Sequence, residues 1–346
     1  MDLKDFINSQ QIALYIQNLP PQTTIDKVLF PPVSQFGTEI EFAKGSKQKP
    51  VALRVSTFDV AVKPRALNFS LDIKKKELPF YKESVGIKEA DRQLLLLAKA
   101  SNNQNLIESL VGQVYDNYQS LVDGAEVQMI RSRAQLLQHG EINIITPDGD
   151  IVVDYEVPDN HKEELLSTAM WSNPDPDIVG DIIRWQNKLV NDGYGKASTI
   201  LLTDLTFGYI LKNNAIRNEL MARNIGAVIV TDQDIISYLS TKLGLGVGIV
   251  NGTFIDEEGT VQNYYEDNFV TLIPSGTLGT TIYGTTPEAA DKIYGSGKID
   301  TTIVNTGVAI TTMVKEDPVV VDVKVSQLAL PSFNRVDECF FAHVAQ

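Results

Sequence analysis

Between Asn105 and Gln138, apolar or aromatic residues recur at Ile107, Val111, Val114, Tyr118, Leu121, Ala125 and Met129. Spacings of three and four put them on one face of a helix. The stretch contains no proline. Ser101-Asn102-Asn103 offers caps before it, and Gly140 offers a stop after it. At 1.5 Å per residue such a helix is about 50 Å long, more than a small domain needs. Gly112 and Gly124 each cost about 1 kcal/mol against alanine, so the pattern allows a kink or a break.

On the N-terminal side the period changes. Residues 36–85 alternate apolar and polar positions, as in Thr38-Glu39-Ile40-Glu41-Phe42 and in Leu67, Phe69, Leu71 and Ile73. Strict alternation predicts strands with one apolar face and one wet face. The break at residues 43–50 reads as a hairpin tip or a mobile loop. Residues 1–35 read as a short helix followed by an arm, with Pro20-Pro21 and Pro31-Pro32 favouring extended backbone. Such an arm is expected to become ordered only against a partner. Residues 87–100 read as a helix.

After Gly140 the pattern predicts two strands, 141–146 and 150–157, around the turn Pro147-Asp148-Gly149. A helix with Ile178, Ile182, Trp185 and Leu189 on one face follows the Asn173–Asp177 cap region. Residues 198–304 read as a second compact unit. In it, the strands STILLT and AVIVT alternate with helical segments, and a hairpin is formed around residues 256–259. The Gly- and Thr-rich stretch 273–295 reads as an exposed loop carrying a short strand. Strands return from 301 onward, and the chain closes on the apolar run Cys339–Val344.

Composition narrows the classes. The formal charge is -14, which argues against a protein that wraps nucleic acid through clustered Lys and Arg. Charge is uneven: 12 Lys+Arg against 8 Asp+Glu lie between Phe36 and Arg92, and 18 against 36 lie elsewhere. A mildly basic excursion on an acidic body suits docking on a neighbouring copy. A single cysteine, Cys339, precludes an intrachain disulfide and fits a reducing compartment. The first ten residues do not read as a signal peptide, and no apolar run reaches membrane-spanning length. A cytosolic chain is expected.

Chemistry is sparse. His139, His161 and His343 lie far from one another in sequence, so no metal-ligand cluster is visible. His139-Gly140-Glu141 has the spacing of a zinc deaminase but lacks the two cysteines that the site needs. Gly295-Ser296-Gly297-Lys298 resembles the end of a phosphate loop, but Lys292 and Ile299 stand where glycine and Ser/Thr are required. Gly244-Leu245-Gly246-Val247-Gly248 precedes strand-like sequence, the reverse of a dinucleotide site. Asp175 and Asp177, or Asp256 to Glu258, could meet a cation, although turns of this composition are usually only turns. No catalytic, cofactor-binding or metal residue is assigned, and no enzyme activity is expected.

The order of segments resembles one family. The extended region FGTEIEFAKGSKQKPVALRVSTFDV and the stretch AEVQMIRSRAQLLQHGEINI are similar to those of tailed-phage major capsid proteins of the lambda-like E family. So are the series Trp171, Pro174, Asp177, Asp181, Ile182, the hairpin GTFIDEEGTVQNYYEDNF with Tyr283-Gly284 after it, and the closing VSQLALPSFNRVDECFFAHV. The resemblance implies an α+β Hong Kong 97-like major capsid fold. Its parts would be an N-terminal arm (1–35), an extended β loop (36–85), a peripheral domain with a long spine helix (86–197), an axial domain (198–304) and C-terminal strands returning to the peripheral domain (305–346).

The resemblance further implies a structural protein that self-assembles, as hexamers and pentamers, into an icosahedral shell around double-stranded phage DNA. The shell would form in the host cytoplasm and become part of the virion. Scaffolding and portal proteins would assist, and a decoration protein is a further partner. No sequence-specific DNA contact and no membrane is implied. Some shells of this fold are locked by lysine–asparagine bonds, for which Lys44, Lys47 and Lys49 are candidates. The lambda-like branch uses decoration instead, so self-crosslinking is not expected. Two rivals stay open: an encapsulin-like compartment, and a cytosolic α/β enzyme with a β excursion.

Overall fold

A computed structural model of the chain describes residues 9–17, 24–44, 72–87, 89–101, 104–144, 151–223, 230–256, 258–296, 298–304, 307–316 and 319–346. In chain order the elements begin with helices α1 (Ser9–Gln17) and α2 (Ile25–Leu29), followed by strands β1 (Pro32–Ser34), β2 (Glu39–Lys44), β3 (Asp72–Glu77) and β4 (Phe80–Ile87). Helices α3 (Glu89–Ala100) and α4 (Gln104–His139) come next, then β5 (Glu141–Ile144), β6 (Ile151–Asp154), β7 (Lys162–Glu164), α5 (Ile178–Asn191) and β8 (Thr199–Leu202). Helices α6 (Asp204–Lys212), α7 (Asn214–Arg223) and α8 (Asp232–Leu243) precede β9 (Gly246–Ile249), β10 (Thr253–Ile255), β11 (Val261–Asn263), β12 (Phe269–Ile273) and β13 (Thr280–Tyr283). The chain ends with α9 (Pro287–Tyr294), β14 (Asp300–Val304), β15 (Val308–Glu316), β16 (Val319–Ser332) and β17 (Phe340–His343).

Helix α4 is one uninterrupted element of 36 residues. Gly112 and Gly124 do not break it, and a Cβ at either would meet nothing within 4 Å. The helix stops at Gly140, whose φ of +72° is a left-handed conformation that only glycine adopts readily. A Cβ there would lie 2.0 Å from Val157 Cγ2. The expected stripe is seen in part: Tyr118 and Met129 are buried, Val111, Val114, Leu121 and Ala125 are half-buried, and Val122, outside that stripe, is buried as well.

Two compact units are present. One comprises Met1–Glu41, Lys75–Arg133 and Gly279–Ser332. Its sheet runs β1-β13-β16-β15-β14, with β4 also on β16. Residues Val321–Gln327 of β16 are paired on both sides, by β15 and by β4. Period-two alternation sends Val321, Val323 and Val325 into a cluster with Val304, Val308, Ile310, Tyr118 and Val122. Lys324 and Ser326 point the other way, where Glu288 of α9 accepts a hydrogen bond from each.

The other unit comprises Phe42–Lys74, Ala134–Leu278 and Phe333–Gln346. Its sheet runs β7-β17-β12-β8-β9, parallel at both margins and antiparallel between. Helices α5, α6, α7 and α8 contribute to its core with Trp185, Phe207, Ile216 and Leu239. The caps follow from the sequence. Asp177 accepts from Gly180 N–H at 2.9 Å to start α5, and Thr231 and Asp234 form a capping box at α8.

Two expectations are corrected. The arm was expected to bury its apolar face only against a partner, yet Ile12, Ala13, Ile16, Leu29 and Phe30 are all buried within their own unit. Ile12, Ala13 and Ile16 pack with Val304, Val308, Ile310 and Val323 of the C-terminal strands, so this burial does not wait for another copy. The stretch 273–295 was read as an exposed loop carrying a short strand. The strand is present as β13, but it lies inside the six-stranded sheet and helix α9, capped by Thr286, follows it. Thr281 is fully buried because its hydroxyl donates to the Phe30 carbonyl at 3.0 Å, so a threonine-rich run there is core and not surface. Of the extended loop, residues 45–71 lie outside the described residues, as do most of the AVIVT segment and the turn 147–149. The flanking β2 and β3 pair with each other.

Candidate functional site

The densest polar constellation in the first unit centres on Arg133, whose side chain is 1% exposed. Its Nη1 donates to Asp26 Oδ2 at 2.6 Å and to Glu126 Oε1 at 3.2 Å. Its Nε donates to Thr281 Oγ1 at 3.0 Å, and its Nη2 to the Tyr283 hydroxyl at 3.3 Å. Glu126 is seven residues earlier, two turns back on the same helical face. Asp26 comes from α2, and Thr281 and Tyr283 come from β13. One guanidinium therefore ties the helix to the N-terminal segment and to the sheet. Burial works against its charge, but Tyr283, Asp26 and Glu126 outweigh that and raise its pKa. Burial also pushes the Tyr283 hydroxyl up to about 12. Strand β1 then lies parallel to β13, in register Pro32 to Thr281.

In the second unit two indoles organise the core. Trp171 and Trp185 stack at 5.8 Å, and Trp185 stacks on Phe340 at 5.5 Å. Each indole nitrogen donates to a carboxylate: Trp171 to Asp181 at 3.1 Å, Trp185 to Glu163 at 2.5 Å. Arg184 bridges the two carboxylates, at 2.7 Å from Asp181 and 2.9 Å from Glu163. Hiding 150–250 Å² of each ring contributes about 4–6 kcal/mol before entropy is charged against it. The Trp171, Asp181 and Ile182 singled out in the sequence are thus packing residues. Arg133, Asp26 and Glu163 had no signal in the sequence, because each acts through partners distant along the chain.

The residues weighed for chemistry do not assemble a reactive centre among the described residues. His161 Nε2 lies 2.9 Å from Asp192, His139 lies 3.8 Å from Glu266, and His343 lies 3.6 Å from Glu164. No group of three or more potential metal ligands is found among the described residues. The Asp256 carboxylate accepts from the backbone N–H of Glu258 and Thr260 and from Gln262, which makes it a turn residue. Asp175 accepts from Asn214 at 2.8 Å, and Asp177 is a helix cap. Cys339 is buried, and burial pushes its thiol pKa up. No helix of the described residues is long and apolar enough to cross a membrane.

The surface carries clustered apolar side chains. On α3, Leu94, Leu96 and Leu97 are exposed, with Leu97 at 67%. On the β10–β11 hairpin, the cross-strand pair Ile255 and Val261 is exposed at 69% and 64%. Exposed apolar groups gathered this way mark surfaces that meet other molecules.

The model of the family described as phage major capsid protein E matches residues 8–344. The chain belongs to that family. As a phage major capsid protein it has a structural role, and its fold is the Hong Kong 97-type fold that the segment order implies. Among solved structures it is similar to a protein described as a prophage capsid protein of E. coli CFT073, with 12% identity and a TM-score of 0.59. That match covers 98% of this chain and 99% of the other. It is also similar to a phage-related protein of Bordetella bronchiseptica RB50, with 13% identity, a TM-score of 0.52 and 98% of each chain covered. At such identities the likeness is one of fold. No curated protein matches the chain.

Proposed function

We propose that many copies of this capsid protein tile a closed icosahedral shell of hexamers and pentamers that encloses double-stranded phage DNA in the virion. The family match over residues 8–344 carries this reading. In it, residues 86–197 serve as a peripheral domain, 198–304 as an axial domain around the five- and six-fold axes, and 305–346 as strands returning to the periphery. The loop 36–85 lies across a neighbouring copy. The exposed leucines of α3 support contact between copies, since burying each fully would contribute about 1.5–3 kcal/mol. The charge of -14 supports a shell that repels packaged DNA instead of adhering to it.

Assembly takes place in the host cytoplasm with scaffolding and portal proteins, and a decoration protein is a further partner. The subunit carries out no catalysis and forms no covalent crosslink to its neighbours. Negative-stain images of the expressed chain, alone and with its scaffold, test the proposal. Closed shells are expected, and a compact monomer under every condition would overturn it. Shells filled with a cargo enzyme would favour the compartment reading.

A further inference from the structure

The last turn of α4 is fixed to one face of β12. Thr271 of β12 is fully buried, and its hydroxyl donates to the Leu137 carbonyl, one of the acceptors that a helix C-terminus leaves without an internal partner. Two residues earlier on that strand, and so on the same face, Phe269 touches two imidazoles. His139, the final residue of α4, meets its ring in a T-shaped contact at 4.9 Å. His343, its cross-strand partner on β17, stacks on it at 4.6 Å.

Each imidazole also has a carboxylate within reach. His139 Nε2 lies 3.8 Å from Glu266, and His343 Nδ1 lies 3.6 Å from Glu164, its parallel partner on β7. Both distances are too long for a hydrogen bond, so a neutral imidazole gains little there. A protonated one gains the attraction of the carboxylate and of the Phe269 ring, and His139 gains that of the helix C-terminus as well. His139 first, and His343 after it, outweigh burial and hold the Glu266 carboxyl below its ordinary value. Glu266 thus answers to both histidines and offsets their mutual repulsion. Charge also comes from Lys162, two residues before Glu164 on β7, and from Glu141, two residues beyond His139. The imidazole side chains are 33% and 29% exposed, which leaves them open to protons from solvent.

We infer that His139 and His343, with Glu266 and Glu164, form a proton-operated clamp that fastens β17 and the last turn of α4 to their sheet. A free imidazole takes up its proton near about pH 6.5, and a free glutamate loses its own near about pH 4.3. The clamp is therefore slack at pH 7.5, where the imidazoles are neutral, and tight at pH 5.5, where both signs of charge are present. It slackens again in stronger acid, and Glu266 keeps its charge until the pH falls through its depressed value. The clamp lies within one compact unit and does not depend on the shell reading.

The test is hydrogen exchange over residues 340–344 of the full chain at pH 5.5 and 7.5, corrected for the intrinsic rate. It is run at a concentration where sedimentation shows the same species at both pH values. Two part-exposed pairs predict protection about two- to thirtyfold higher at pH 5.5. In the double variant His139→Gln, His343→Gln that rise is expected to vanish. In Glu266→Gln, Glu164→Gln it is expected to fall by at least half. His161, held by Asp192 at 2.9 Å, is unchanged throughout, so its own titration cancels from the comparison. Should a double variant fail to fold, the single variants His343→Gln and Glu164→Gln must each remove part of the rise. No rise in the parent chain, or a rise that survives in the histidine or the glutamate variants, overturns the clamp.

Discussion

Replacing Arg133 by methionine isolates the worth of the buried guanidinium. Methionine keeps most of the stem's volume and removes the charge and all four hydrogen bonds. Glu126 is 31% exposed and retains Lys27 at 3.2 Å, so it suffers little. Asp26 is different: its side chain is 11% exposed and loses the partner at 2.6 Å. An uncompensated buried carboxylate costs about 3–5 kcal/mol, which sets the expected loss. The double variant Arg133→Met, Asp26→Asn removes both charges and is expected to recover at least half of it. Urea unfolding of the four chains of the cycle gives the coupling energy directly. A loss below about 1 kcal/mol for Arg133→Met, or a double variant as poor as the summed singles, would refute the claim that the pair is coupled and desolvated.

Four further outcomes follow from the same geometry. Gly140→Ala is expected to destabilise by more than about 1–2 kcal/mol, the ordinary penalty of a left-handed residue, because Val157 also blocks the new Cβ; thermal unfolding reads it. Gly112→Ala and Gly124→Ala go the other way, each adding up to about 1 kcal/mol, since their Cβ atoms meet open space. Glu288 is buried, which would raise its pKa, but Lys324, Ser326 and its own backbone N–H outweigh burial and hold it below the ordinary value. Its contribution is therefore present above about pH 4.3 and lost as pH falls through the depressed folded value, and Glu288→Gln should flatten that acid limb of the stability curve. Cys339 should resist iodoacetamide in the folded chain and react once urea unfolds it, as mass spectrometry would show.

Helix α4 was legible because a long period of 3.6 without proline, closed by glycine, has few other solutions. The helix around Ile182 and Trp185 and the β10–β11 hairpin were legible for the same local reasons. The burial of strand β13 was missed because Gly and Thr signal exposed loops unless the hydroxyls find partners. Here Thr281 finds the Phe30 carbonyl, 251 residues earlier. The Arg133 constellation was invisible for a related reason, as Asp26 is 107 residues away and Tyr283 is 150. The arm was misread because its prolines describe the local backbone and say nothing of the valine face that receives Ile12 and Ile16.

Strand β17 has a bearing on biosynthesis. It sits between β7 and β12, and the doubly paired β16 precedes it by only a few residues. Neither sheet can therefore close while the ribosome still holds residues beyond about 320. Stalled or prematurely terminated chains lack the pieces that join early strands to late ones, and they stay open to proteolysis. Translation itself thus acts as a completeness check, since only polypeptides extending through His343 can present a finished building block.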